Sequence, residues 1–187
     1  SYGIGTFGRV RPDKGSDLFV DAMIQVLPRF PEATAVIAGL ATPQHRGFEA
    51  DLRSKVEEAG LSGRIIFLGE VPAAEVAEWY RRCLICVACP RYEAFGLTPF
   101  EAAGAGCAPI CSRTGAFQEL INQPGDNGLL VPTGDAKALA KAVANLLGEP
   151  ARTRAIGNAA MNRVHDQFSL QREAEGIGAV YQQLFAA

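Results

Sequence analysis

Short apolar runs alternate along most of the chain with segments whose apolar residues recur at helical spacing. The runs at 3–9 (GIGTFGR), 34–39 (TAVIAG), 64–68 (RIIFL), 84–88 (LICVA), 108–112 (APICS) and 127–131 (NGLLV) predict buried strands. Between them, GSDLFVDAMIQVLPRF, GFEADLRSKVEEAG, AAEVAEWYRRC, GLTPFEAAGAG and GAFQELI predict helices. In the first, Leu18, Phe19, Ala22, Met23 and Val26 make one apolar stripe. Fully apolar strands alternating with helices predict an α/β fold, a doubly wound parallel sheet covered on both faces. From about residue 135 to 187 three helical patterns follow one another, so the tail is expected to be all-α, with Asp135 and Ser169 as N-caps. Without repeats or linkers, residues 1–187 read as a single domain.

Composition narrows the classes. The 187 residues are 48% hydrophobic and 20% charged, as in a soluble globular protein. With 18 basic against 20 acidic residues there is no global field for nucleic acid. No apolar run approaches the ~20 residues that span a bilayer, and no signal peptide is expected. The chain opens inside a predicted strand, so a piece of a longer protein is expected. Five cysteines, an odd number and mostly in apolar segments, fit a reducing compartment. Cys83, Cys86 and Cys89 spell C-x-x-C-x-x-C. Strand alternation would point cysteines three apart in opposite directions, so no metal site is expected. His45 and His165 read as ordinary residues.

Residues 3–8, Gly-Ile-Gly-Thr-Phe-Gly, match the G-x-G-x-x-G loop of dinucleotide-binding proteins. Such a loop follows a strand and opens a helix. Here Ile4 and Phe7 lie among the glycines, so the motif is expected to be the strand itself, and Pro12 opposes a helix begun at Gly8. An oxidoreductase would also need an acidic residue closing a second strand about 20 residues later. Asp21 falls mid-helix and Glu32 precedes the next strand. Small residues there suit close backbone approach. Beyond the strand, Arg9 and Lys14 would project past its carboxyl end, where open α/β sheets bind ligands.

The most informative stretch is PRYEAFGLTPFEAAGAG, 90–106. Glu93 and Glu101 are eight residues apart and flank a predicted helix start between Gly96 and Thr98, with Pro99 in the first turn. The amides of Gly96, Leu97 and Thr98 are then unpaired donors at a helix N-terminus, an arrangement suited to an anion.

These residues carry a family resemblance. RYEAFGLTPFEAAGAG resembles the E-x7-E segment of retaining, nucleotide-sugar-dependent glycosyltransferases of the GT-B fold, group 1 or family 4 type. FGRVRPDKGSDLFVDAM resembles their G-R-x-x-x-x-K-G stretch, RIIFLGEVPAAEVAEWYRRC the segment beside the nucleobase, and GAFQELI and GLLVPTGDAKALAKAV their later landmarks. The chain looks most similar to bacterial mannosyltransferases of lipopolysaccharide core assembly, and it matches only the C-terminal, donor-binding Rossmann-like lobe.

The resemblance implies a donor, GDP-mannose, and no metal cofactor; a UDP-sugar donor (glucosyl or galactosyl) or a non-catalytic nucleotide-binding module are the alternatives. It implies that Arg9 and Lys14 bind the diphosphate, with Gly8 beside them, and that the amides of Leu97 and Thr98 meet the distal phosphate. Glu93 would place the donor sugar by hydrogen bonds and electrostatics, with backbone contacts from Phe95 and Gly96. Glu101 would take the ribose hydroxyls, and the backbone at Glu70 and Val71 would read the base. Glu119 reads as a helix cap or surface charge. Partners implied are the chain's own N-terminal lobe and, through it, a glycolipid or saccharide acceptor, in the cytoplasm or peripherally on the inner membrane's cytoplasmic face. Without that lobe little transfer is expected, and the last helices should expose an apolar patch.

Overall fold

The computed structural model describes residues 2–185; Ser1, Ala186 and Ala187, the outermost residues of the expected domain and tail, lie outside them. Six strands, β1 (Tyr2–Phe7), β2 (Ala33–Ala38), β3 (Ile65–Gly69), β4 (Cys83–Ala88), β5 (Ala108–Ser112) and β6 (Leu129–Val131), form one sheet in the order β3-β2-β1-β4-β5-β6. Every neighbouring pair is parallel, with β1 and β2 in register from Tyr2 opposite Ala33 to Phe7 opposite Ala38. The helices are α1 (Ser16–Val26), α2 (Arg46–Glu58), α3 (Ala73–Arg82), α4 (Thr98–Gly104), α5 (Phe117–Leu120), α6 (Ala136–Gly148), α7 (Pro150–Gln167) and α8 (Leu170–Phe185).

Most boundaries shift from the pattern by a residue or two, and three shift for an identifiable local reason. The first helix stops at Val26 and the chain continues as a 3-10 turn over Leu27–Arg29, because Pro28 has no amide to continue the α ladder. β1 ends at Phe7, and the 3-10 turn Pro12–Lys14 then leads into α1, so no helix opens at Gly8; the glycine motif is strand as far as Phe7, with Gly8 in the bend beyond it. β6 begins only at Leu129, because buried Asn127 is engaged in the preceding loop. Its side-chain amide donates to the Leu120 carbonyl (3.1 Å) and to Asn122 Oδ1 (2.8 Å), and its own Oδ1 accepts from the Gln123 amide (3.2 Å). The Asp135 cap forms, accepting from the Ala138 amide at 2.8 Å, while at the start of α8 the Arg172 amide lies 3.4 Å from Ser169 Oγ.

Alternation along the strands divides the core. Ile4, Ala35, Ile37, Ile85 and Val87 face α1, α2 and α6, packing with Phe19, Met23, Leu52, Val56, Leu139 and Val143. On the other side Val36, Cys83 and Cys86 meet Tyr80 of α3 and Ala102 of α4, while Cys111 packs with Phe100, Phe117 and Ala160 of α7. The apolar patch expected of the last helices is present on α8, where Leu170, Ile177, Val180, Tyr181, Leu184 and Phe185 are all exposed.

One sequence argument fails. β4 bulges against β1, so that Gly3 pairs with Cys83 but Ile4 with Ile85, and the extra residue turns Cys83 to the same face as Cys86. Strict alternation therefore does not separate these two thiols; Cys89 does lie in the opposite cluster. Among the described residues no group of three or more His, Cys, Asp or Glu side chains is placed to hold a metal ion. All five cysteines are buried and unpaired in disulfides. Burial pushes the thiols of Cys83, Cys89 and Cys107 up to about 12 and those of Cys86 and Cys111 upward as well.

The strand order reverses between β1 and β4, so the loops after these two strands diverge and leave a crevice at the carboxyl edge of the sheet. Gly15 brings the loops together. Its φ of +75° suits glycine, and a Cβ there would lie 2.1 Å from the Cys89 carbonyl oxygen at the end of β4.

Two outcomes follow from this packing. Gly15→Ala combines a left-handed backbone with a backbone clash and is expected to lower unfolding free energy by at least about 2 kcal/mol in urea titration. A disulfide-exchange reagent at pH 8 is expected to leave all five thiols of the folded chain unmodified over a period in which the unfolded chain reacts at every one.

Candidate functional site

The two loops converge in the crevice. Arg9 and Lys14 come from the β1–α1 connection, Glu93 and Gly96 from the β4–α4 connection, and Thr98 begins α4; all five line one cavity of about 70 Å³. Lys14 Nζ donates to Glu93 Oε2 at 2.5 Å, with both side chains partly buried, so one cation and one carboxylate 79 residues apart in sequence share the floor. Gly96 has a φ of +78°, and a Cβ there would fall 2.6 Å from the Phe117 ring and 2.8 Å from Glu93 Cγ. A glycine thus lets the loop fold beneath Glu93 and deliver the chain to the helix start. Among the described residues the amides of Leu97 and Thr98 donate to no other backbone group. They remain available to an acceptor, with the helix dipole behind them.

The cavity opens into a hollow of about 750 Å³; Phe7, Gly8, Arg9 and Thr98 border both. Glu70, Val71, Tyr80 and Glu101 line this second space. The Tyr80 phenol, on a ring that meets Phe7 edge-on at 4.5 Å, donates to Glu101 Oε2 at 2.9 Å. Burial first, then the hydrogen bond to Glu101 and its charge, push the Tyr80 phenol above its ordinary value, so it stays a protonated donor. That bond holds one carboxylate oxygen of Glu101 and leaves the other for a hydroxyl donor.

Not every predicted residue turns its side chain inward. Phe95 and Leu97, 49% and 62% exposed, border a separate groove against Val164, Phe168 and Arg172, where Phe95 stacks on Phe100 at 5.4 Å. The roles expected of these two were backbone roles, and the Leu97 peptide sits beside Gly96 at the start of α4. Glu119 is exposed on α5.

Three residues that support the crevice escaped the sequence reading, Tyr80 lining its second space and Asp17 and Arg91 on the segments beside it. Arg91 donates to Asp17 Oδ1 (2.8 Å) and Oδ2 (2.7 Å), and Tyr80 supports Glu101. Burial alone would raise the Asp17 carboxyl, but the hydrogen bonds and charge of Arg91 outweigh it and hold the group below its ordinary value. Its contribution to stability is thus present above the ordinary carboxylate range and is lost as pH falls through the lowered value. In the sequence Asp17 and Arg91 are two charges 74 residues apart, with nothing to pair them. Tyr80 left a fainter signal, a phenol on the apolar side of the pattern AAEVAEWYRRC.

A hollow of about 860 Å³ between α1, β6 and α6 exceeds either space in volume. Its lining has Arg29, Lys137 and Lys141 but no carboxylate, and it does not lie at the strand-order reversal. The smaller crevice is the stronger candidate because cations, carboxylates and free amides converge there.

Comparison with known proteins identifies the family. The sequence pattern of the family described as "Glycosyl transferases group 1" matches residues 3–163. A Rhizobium leguminosarum bv. viciae protein named lipopolysaccharide core biosynthesis mannosyltransferase LpcC is 48% identical over 181 residues, covering 97% of this chain and 51% of the relative. Its counterpart LpsB of Rhizobium meliloti (strain 1021), of the same description, is 41% identical over 182 residues, covering 97% and 51%. The chain thus spans about half the length of the curated relatives it matches. Among solved structures, the C-terminal domain of a glycosyl transferase group 1 family protein (LpcC) from Francisella tularensis superposes with a TM-score of 0.87 at 35% identity, covering 90% of this chain and 87% of that one. The chain belongs to the group 1 glycosyl transferases, and its sheet is the Rossmann-like, GT-B type of domain.

Proposed function

We propose that this chain is the donor-binding lobe of a retaining mannosyltransferase that takes mannose from GDP-mannose to a lipopolysaccharide core acceptor. The observation that carries the reading is the convergence of Arg9, Lys14, Glu93 and the start of α4 on one cavity that opens toward Glu70, Val71 and Glu101. The two relatives named as core mannosyltransferases favour mannose as the sugar.

On this reading the diphosphate enters between Arg9, Lys14 and the amides of Leu97 and Thr98. Breaking the sugar–phosphate bond puts positive charge on the anomeric carbon and negative charge on the departing diphosphate. Two cations and a helix start, brought together before the bond breaks, oppose the second charge electrostatically. The donor phosphate competes with Glu93 for the Lys14 ammonium, and the carboxylate so released accepts from the sugar hydroxyls and places the ring. Glu93 is therefore a positioning and electrostatic group, with no covalent sugar intermediate assigned to it. Glu101, braced by Tyr80, accepts from the ribose hydroxyls, and the backbone at Glu70 and Val71 reads the base.

The rest of the enzyme completes the reaction. The relatives are about twice as long as this chain, and the exposed apolar face of α8 suits packing against a second lobe that holds the acceptor. Among the described residues no helix is long and apolar enough to cross a membrane. The reading puts the enzyme in the cytoplasm, meeting its glycolipid acceptor at the inner-membrane surface, and it expects this chain alone to transfer little or no sugar.

Three measurements test it. GDP at a hundredfold excess over its dissociation constant is expected to stabilise the chain by about 2.7 kcal/mol. The rise in melting temperature should exceed that from UDP or NAD and vanish in Lys14→Ala; equal effects from all three nucleotides would sink the assignment. Tyr80→Phe should weaken GDP about 3- to 10-fold by loosening Glu101, with little change in melting temperature. Robust mannosyl transfer by this chain alone would show the two-lobe reading to be wrong.

A further inference from the structure

One side chain outside the assigned set joins the two loops that make the crevice. Arg91 stands two residues before Glu93, between β4 and α4. Its backbone amide donates to the Asp13 carbonyl at 2.8 Å, its guanidinium takes both oxygens of Asp17 at 2.8 and 2.7 Å, and Nη1 also donates to the Pro12 carbonyl. All of these acceptors lie in the segment that contains Lys14. A forked guanidinium–carboxylate pair sets angle as well as distance, which a single ammonium does not. Asp17 is in the first turn of α1, where a carboxylate suits the helix dipole, and α1 is fixed in the core through Phe19, Val20 and Met23. The residue just before Arg91 is tied down as well, because the Ser112 hydroxyl donates to the Pro90 carbonyl at 2.9 Å.

We propose that Arg91 is a positioning residue: by clamping the loop of Glu93 onto the segment of Lys14, it sets the separation of that pair and with it the geometry offered to a nucleoside diphosphate. The proposal rests on the reading of the crevice as a diphosphate site. Stability alone does not explain the arrangement. The Arg91 and Asp17 side chains are 40% and 23% exposed, so solvent screens the pair and its contribution to folding is modest. Its leverage is geometric, because a displacement of about 1 Å at a binding centre can reduce function by up to about a hundredfold.

The clamp touches the loops that flank the diphosphate cavity and none of the residues Glu70, Val71, Tyr80 and Glu101 of the adjoining hollow. Its loss should therefore weaken ligands according to their distal phosphate. Calorimetric titration of the chain with GDP and GMP reads this directly (UDP and UMP if uridine proves the preferred base). Arg91→Ala is expected to weaken the diphosphate about tenfold and the monophosphate less than about twofold. Arg91→Lys should behave like Arg91→Ala, and Asp17→Asn should reproduce the selective loss. An equal loss for both nucleotides, which general destabilisation would cause, overturns the proposal, as does an unchanged diphosphate affinity.

Should the unsubstituted chain bind neither nucleotide, the diphosphate reading fails, and the clamp is judged without ligand. Amide hydrogen exchange at 91–97 should then quicken in Arg91→Ala while β1 and β4 stay protected. Unchanged exchange in that loop overturns the clamp.

Discussion

The site depends on the contact between two loops that leave the sheet where its strand order reverses. Parallel strands β1 and β4 are neighbours in space, yet their helices depart in opposite senses, which opens a crevice lined by backbone rather than filled by side chains. Closing the two loops to within bonding distance needs a residue without a side chain at Gly15, against the Cys89 carbonyl. It also needs a cross-link strong enough to hold a loop of irregular backbone, and Arg91 over Asp17 and the Pro12 and Asp13 carbonyls supplies it. Lys14 and Glu93 meet because that approach is enforced on both sides.

The hollow is graded in chemistry. At one end are two cations, a carboxylate and a helix start, suited to a group that becomes more negative as it leaves. At the other, Glu101 is aimed by a buried phenol and flanked by Glu70 and Val71, suited to hydroxyls and a base edge. Gly8 and Arg9 border both, so one strand end connects the two environments. The five thiols are buried, with the protonated form favoured, and so behave as small apolar side chains rather than nucleophiles or ligands.

Much of this was legible in the chain alone, for reasons that differ by residue. All six strands were marked by apolar runs, because strands buried on both faces tolerate few polar residues. Glu93, Gly96 and Thr98 were legible because they are close in sequence and frame a helix start whose geometry is local. Cys83 was misplaced because a bulge depends on how β4 meets β1, and nothing within LICVAC announces it. Asn127 looked like the start of a strand because its partners, Leu120 and Asn122, become partners only when the loop closes.

The sequence by itself determined the alternation of strand and helix, the cap at Asp135 and the helix start beside Glu93. Each follows from propensity and hydrogen bonding within a few residues. Only the tertiary structure decided which charges face each other. Lys14 with Glu93, Asp17 with Arg91, and Tyr80 with Glu101 are separated by 79, 74 and 21 residues. Their pairing comes from strand order and the close packing of two loops, which no local pattern encodes.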